Sequence, residues 1–212
     1  MRDIISDILN NHPIISDMIT KEGIRIVLEN LKEVLDNNVK GEIVEFGCYC
    51  GTTSLFIRRF LDSYKSKKKF FVYDSFQGLG EKSINDIGFG EFRIMLEGNC
   101  KSSKEELIKN FNEAKLKLPI IHESWFKDIV SEKLPKKIAF AFFDGDFYNA
   151  IIESFEKVYP LLSPNARVVI DDYQHDGKIL PGVKIACDEF LKGKPEEGRV
   201  FVKDERGILI KE

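Results

Sequence analysis

From Gly41 onward, short apolar runs alternate with amphipathic stretches of helix length, and no other feature constrains the fold as tightly. The runs are Ile43–Phe46, Phe70–Tyr73, Pro119–His122, Ile138–Phe143 and Arg167–Ile170. Several lack polar alternation, as strands do when helices cover both of their faces. Thr53–Tyr64, Ser103–Lys115, Tyr148–Leu162 and Val183–Leu191 fit helices between and after them. Alternating β and α units of this length predict an α/β fold with a doubly wound sheet. The rhythm breaks at the C-terminal end. There, Arg199–Lys203 and Ile208–Lys211 flank Asp204-Glu205-Arg206-Gly207, a hairpin signal with Gly207 expected where positive φ is useful. The expectation is a Rossmann-like sheet of seven strands, mostly parallel, closed by an antiparallel hairpin.

Residues 1–40 read as an N-terminal helical extension of two helices. The second, about Asp17 to Asn37, carries Ile24, Val27, Leu28, Leu31, Val34 and Leu35 on one face. These amphipathic helices are candidates for packing against a second copy in a homo-oligomer. No linker rich in Pro, Gly or Ser divides the chain, so 41–212 with its extension makes one domain of 212 residues. A domain of that size buries roughly 70 % of its unfolded surface without disulfide staples. The net charge of −3, with both signs interspersed, gives no pull toward nucleic acid or an anionic membrane. No apolar run approaches the roughly 20 residues of a membrane helix, and MRDIISDILNNHP lacks a signal-peptide pattern. A cytoplasmic location is expected, with Cys48, Cys50, Cys100 and Cys187 as reduced thiols. Cys48-Tyr49-Cys50 has one intervening residue rather than the two of a zinc or thioredoxin motif, which favours small buried residues.

Chemistry enters with GEIVEFGCYCGTTS at 41–54, a strand entering a glycine turn that opens a helix. Ligands of doubly wound sheets bind at the carboxyl ends of the strands. Gly47 and Gly51 let backbone approach a ligand, and Thr52, Thr53 or Ser54 can serve the first amides of the helix. The spacing is G-x-x-x-G, so the G-x-G-x-x-G cradle for pyrophosphate is absent. Glu45 precedes the first glycine instead. A carboxylate repels phosphate and attracts an ammonium or sulfonium, which favours a cationic nucleoside over a dinucleotide. Asp74 ends the second strand and can accept from both hydroxyls of a ribose, or else cap the turn through Ser75 and Phe76. Phe76 could also lie on a purine face.

The segment AFFDGDFYNAIIESFEKVYPLLSPNARVVIDDY at 141–173 is the most informative. Asp144 ends the fourth strand, and Asp171 and Asp172 end the fifth. Adjacent strand ends bring these carboxylates together, where they would raise one another's pKa unless a cation intervened. All-oxygen ligation points to Mg²⁺, with Mn²⁺ or Ca²⁺ as alternatives. Asp146 fits a cap at the start of the helix that begins at Tyr148. His175, on the loop beyond Asp172, reads equally as an auxiliary base or an exposed loop side chain. The long segment from Gly78 to Lys101 reads as a lid over the site or a surface insertion.

Five segments in order, GEIVEFGCYCGTTS, YDSFQGLG, ESWFKD, FFDGDFYNAIIESFEKVYPLLSPNARVVIDDY and PGVKIACDEF, resemble the macrocin O-methyltransferase-like family. The resemblance implies a class I methyltransferase domain at 41–212 that uses S-adenosyl-L-methionine and Mg²⁺. The implied acceptor is a small hydroxylated molecule, a sugar or glycosylated natural product. It implies that Glu45, Gly47 and Gly51 hold the methionine portion, with Ser54 at the helix start. Asp74 would hold the ribose, with Ser75 and Phe76 beside the ribose and adenine, and Ser124 and Trp125 at the adenine end. Asp144, Asp171 and Asp172 match the metal carboxylates, with Asp144 also the general base. Ser124 stands where the family has Gly, Asp128-Ile129 where it has Asp-Thr, and 173–181 is longer and more polar. These departures bear on the acceptor and the lid, not on the methyl donor. Against this stand a nucleotide-dependent oxidoreductase on a similar fold and a non-catalytic nucleoside-binding module.

Overall fold

Each apolar run becomes a strand of a single sheet: β1 (Glu42–Phe46), β2 (Phe70–Asp74), β3 (Ile120–Glu123), β4 (Ile138–Phe143), β5 (Leu162–Ile170), β6 (Phe201–Lys203) and β7 (Arg206–Ile210). The strand order is β3-β2-β1-β4-β5-β7-β6, with β7 antiparallel to both of its neighbours and the other pairs parallel. The order reverses beside β1, the switch point at which doubly wound sheets bind ligands. This computed structural model describes residues 3–87, 95–174 and 180–212.

The helices are α1 (Ile4–Asn11), α2 (Lys21–Asp36), α3 (Thr52–Ser63), α4 (Lys104–Glu113), α5 (Tyr148–Val158) and α6 (Pro181–Leu191). Their starts follow local chemistry. Asp3, Thr20 and Ser103 accept backbone N–H groups at the starts of α1, α2 and α4, and Pro181 opens α6. The apolar stripe of α2 buries Ile24, Val27, Leu28, Leu31 and Val34 in the same core as β1 and β4. The central strand β4, IAFAFF, is buried along its whole length, as a strand covered on both faces must be.

Several boundaries differ from the sequence reading, among them β5, which starts at Leu162 rather than Arg167, and two of the differences have a local cause. The helix expected to run to Leu162 ends at Val158 and tightens into a 3₁₀ turn at Tyr159–Leu161, because Pro160 cannot continue an α-helix. The hairpin turn is Asp204-Glu205, with φ of 46° and 66°, so Gly207 is not the positive-φ turn residue. It lies inside β7 opposite Ile170, and a methyl group there would lie 2.7 Å from the Tyr173 ring. Close packing, not turn geometry, requires that glycine.

Candidate active site

The register of the sheet assembles the site. Phe46 pairs with Tyr73 on one side and Phe143 on the other, and Phe143 pairs with Ile170. The next residues, Asp74, Gly47, Asp144 and Asp171, therefore form one row across four strand ends. Backbone bonds continue into it: Gly47 N donates to Tyr73 O at 2.9 Å, Asp144 N to Phe46 O at 2.9 Å, and Asp171 N to Phe143 O at 2.8 Å. Gly47, at φ 88°, sits between the acids, and a Cβ there would collide with the Asp144 carbonyl oxygen. Only glycine fits this crossing.

On the β2 side, the Asp74 carboxylate is hydrogen-bonded to backbone. Its Oδ2 accepts from Cys48 N at 2.7 Å and Tyr49 N at 3.1 Å, and its Oδ1 accepts from Phe76 N at 2.7 Å. The acid clamps the glycine turn to the end of β2 and keeps some of its roughly four acceptor positions for a ligand. Behind the turn, Glu45 is fully buried and accepts a hydrogen bond from Ser54 Oγ, while its Oε1 lacks a partner among the described residues. Burial pushes its carboxyl up to about 8, so at neutral pH it is largely protonated.

On the β4–β5 side the acids face one another. Asp144, Asp171 and Asp172 each offer a carboxylate oxygen, all within 4.8 Å of one another. Desolvation and the neighbouring carboxylates hold Asp144 well above the usual range and raise Asp171 to about 7. Asp146 belongs with them. It does not cap α5; its carboxyl is hydrogen-bonded to Asp172 and is pushed up to about 8 by burial and by the charges of Asp172 and Asp171. The N–H of Tyr148 at the start of α5 is taken instead by Asp86 Oδ1 at 2.7 Å. Asp146 and Asp172 both hold left-handed backbone, φ 60° and 52°, which is more tolerable for Asp than for most residues. Strain of this kind clusters at functional sites.

Two contributors were not legible from local sequence. Arg206, from the hairpin, brings its Nε to 2.9 Å from Asp171 Oδ1, with both side chains nearly buried. Its place follows from the pairing of Ile170 with Gly207, which sets Arg206 across from Asp171. Asp86 is 2 % exposed and accepts from Ser83 as well as from Tyr148. Its only local signal is the Ser83-to-Asp86 spacing of a capping box.

A cavity of about 610 Å³ opens over this row. Gly47, Asp74, Ser75, Trp125, Asp144 and Asp172 form part of its wall, whereas Glu45, Gly51, Ser54, Phe76, Ser124 and Asp171 lie outside it. Phe76 is 5 % exposed and packs in the core. The Ser124 hydroxyl donates to the Trp125 carbonyl at 2.9 Å, while the Trp125 ring faces Gly80. Leu79, Glu81, Met95, Glu97 and Cys100, within the long segment after β2, also line the cavity. The middle of that segment, 88–94, and His175 lie outside the described residues. All four cysteines are free thiols, with Cys48, Cys50 and Cys187 buried. Among the described residues, no helix is long and apolar enough to cross a membrane.

Comparison with known proteins bears on the family and the fold. The family model described as Macrocin-O-methyltransferase (TylF) matches residues 9–207. Demethyldecarbamoylnovobiocin O-methyltransferase of Streptomyces niveus is 29% identical over 174 residues, covering 77% of this chain and 64% of that protein. The 8-demethyl-8-(2,3-dimethoxy-alpha-L-rhamnosyl)-tetracenomycin-C 4'-O-methyltransferase of Streptomyces olivaceus is 30% identical over 158 residues, covering 70% and 60%. The chain thus spans less than two thirds of the length of these two relatives. Among solved structures, the O-methyltransferase NovP superposes with a TM-score of 0.78 at 24% identity, over 92% of this chain and 81% of that one. At that identity the likeness establishes the fold.

Proposed function

The chain belongs to the macrocin O-methyltransferase family, and from that premise we propose that it transfers a methyl group from S-adenosylmethionine to a hydroxyl of a sugar or glycosylated natural product. Residues 41–212 are the methyltransferase domain in this reading, and 1–40 its helical extension. The observation that carries it is the row of strand-end acids around Gly47, roofed by a cavity large enough for a nucleoside and an acceptor.

The donor brings a methyl carbon already activated by a sulfonium. The chain's task is to align it with an acceptor oxygen at near-attack distance. Gly47 lets the methionine portion approach the turn, and the lone pairs left on Asp74 receive the ribose hydroxyls. Trp125 and Ser75 wall the nucleoside end. Glu45 lies beneath the turn as a buried acid with Oε1 unpartnered among the described residues, and the field of a nearby cation would favour its ionisation.

The Asp144, Asp171 and Asp172 carboxylates fit a hard divalent cation. They are all-oxygen donors, close together, and mutually repulsive without one. Mg²⁺ bound there would lower the pKa of an acceptor hydroxyl and orient it. Asp144 takes the hydroxyl proton as the oxygen–carbon bond forms and the sulfur–carbon bond breaks. Arg206 neutralises part of the charge on Asp171 and holds that side chain in place.

Calorimetry with S-adenosylmethionine, followed by S-adenosylhomocysteine release over a panel of glycosides with Mg²⁺ or EDTA, tests the proposal. Donor binding with turnover that EDTA suppresses is expected. Binding of NAD in place of the donor would point to an oxidoreductase, and donor binding without turnover of any glycoside to a nucleoside-binding module.

A further inference from the structure

Helix α5 begins without a cap of its own. Phe147, at the N-cap position, has no acceptor in its side chain, so the amides that open the helix need partners from elsewhere. The turn before the helix, 145–147, carries Asp146 away from the end of β4. One end of that turn is fixed by the sheet, through the bond from Asp144 N to Phe46 O. Within it, Asp146 holds left-handed backbone and Phe147 N donates to Gly145 O at 2.6 Å. The other end is fixed by a remote piece of chain.

That piece is 82–86, between β2 and α4. Lys82 Nζ lies 5.3 Å from the centre of the Phe147 ring, and Asp86 Oδ1 accepts the Tyr148 N–H at 2.7 Å. Asp86 Oδ2 is held in turn by Ser83, accepting from its N–H at 2.7 Å and its hydroxyl at 2.8 Å. The space for this carboxylate is closely fitted. A Cβ on Gly182, in the first turn of α6, would lie 1.8 Å from Asp86 Oδ1 and 2.9 Å from Tyr148 N, so close approach requires glycine there. An exposed cap would satisfy the amide and leave the helix free to shift. This one is 2 % exposed, enclosed by three pieces of chain, and fixes where α5 starts. The place of Asp146 follows from that start, because only Phe147 separates it from Tyr148. The Asp146 carboxyl is hydrogen-bonded to Asp172, one of the three acids that fit a cation.

Resting on the methyltransferase reading, we infer that Asp86 is a positioning residue of the acid edge. Acting through the Tyr148 N–H, it sets the 145–147 turn and holds Asp146 against Asp172, which keeps Asp144, Asp171 and Asp172 at the spacing a cation needs. The segment between β2 and α4 therefore serves the site twice, walling the cavity with Leu79, Gly80 and Glu81 and bracing the acids through Asp86.

The test uses the full chain and takes Mn²⁺ as the probe ion, its binding read from loss of the free-ion electron paramagnetic resonance signal. Calorimetry with S-adenosylhomocysteine reads the donor side of the same protein. Asp86→Ala should weaken Mn²⁺ binding at least about tenfold, the scale expected when a group supporting metal ligands is lost. Affinity for S-adenosylhomocysteine should stay within about threefold, since Asp86 supports the other side of Gly47. Asp86→Asn keeps an oxygen for the Tyr148 N–H and should bind Mn²⁺ within about threefold of the parent. A lowered melting temperature with unchanged Mn²⁺ affinity in Asp86→Ala reduces the residue to a helix cap and overturns the inference, as does an equal loss in Asp86→Asn. If Asp86→Ala does not fold, Ser83→Ala decides, because it removes one of the three bonds on the carboxylate: a loss of about threefold supports the inference and no change overturns it. If the parent binds S-adenosylhomocysteine and no Mn²⁺, the cation assignment fails together with this inference, and the donor half of the functional reading stands. Failure of S-adenosylhomocysteine to bind the parent sinks that reading and the inference that rests on it.

Discussion

The two sides of Gly47 carry the same residue type at the same level of the sheet in opposite electrostatic states. Asp74 accepts from three backbone N–H groups. Asp144, one strand beyond the glycine, faces Asp146, Asp171 and Asp172, and their charges together with desolvation drive its pKa up. The first acid is stabilised by the fold and acts as a brace that a ligand can share. The second group repels itself, and raised pKa values and the Arg206 guanidinium beside Asp171 each relieve part of that repulsion. The contrast teaches that an aspartate at a strand end has no function of its own. The groups opposite it decide whether it clamps backbone or awaits a ligand.

The sharpest way to separate the two sides is Asp144→Asn. It should lower kcat by about a thousandfold or more, a magnitude typical of losing a general base together with local charge stabilisation. Donor affinity should stay within about threefold, as read by calorimetry. Equal losses in both quantities would erase the distinction between the sides. Asp74→Ala is the mirror experiment. It orphans three backbone donors, each costing about 1–3 kcal/mol if left unpaired. The melting temperature should drop by several degrees and donor affinity by at least about thirtyfold, whereas the thermal stabilisation caused by Mg²⁺ should persist.

Glu45→Gln gives the smallest effect and reads the acid beneath the turn. In the folded chain Glu45 keeps its proton up to about pH 8, against an ordinary value of 4.5. The folded state therefore holds the extra proton between those values, and stability falls as pH rises across that window. The stability lost between pH 4.5 and pH 7 is about 3 kcal/mol. Thermal melts of the ligand-free protein from pH 5 to pH 8 should show a shallower decline for the variant than for the parent. Identical slopes would mean that Glu45 ionises freely.

Much of this arrangement was legible along the chain. Apolar runs such as IAFAFF and VVI end at acids, and a parallel α/β rhythm puts successive strand ends on one edge. Asp144 and Asp171 could therefore be brought together before any coordinates. Asp146 was misjudged because its position one residue before the N-cap of α5 mimics a capping role. The cap comes from Asp86, 62 residues away in sequence. Gly207 was assigned to the turn for a similar reason: a glycine after Asp-Glu-Arg looks like punctuation, yet the constraint on it is the Tyr173 ring.

Hydrophobic periodicity and turn chemistry are local. By themselves they determined the order of strands and helices, the glycine turn and the acids at the strand ends. Register and long-range contact are not local. Only the tertiary structure decided that Arg206 faces Asp171 and that Asp86 caps α5. Each of these depends on which distant backbones lie side by side, and an electrostatic environment exists only after the chain has closed around it.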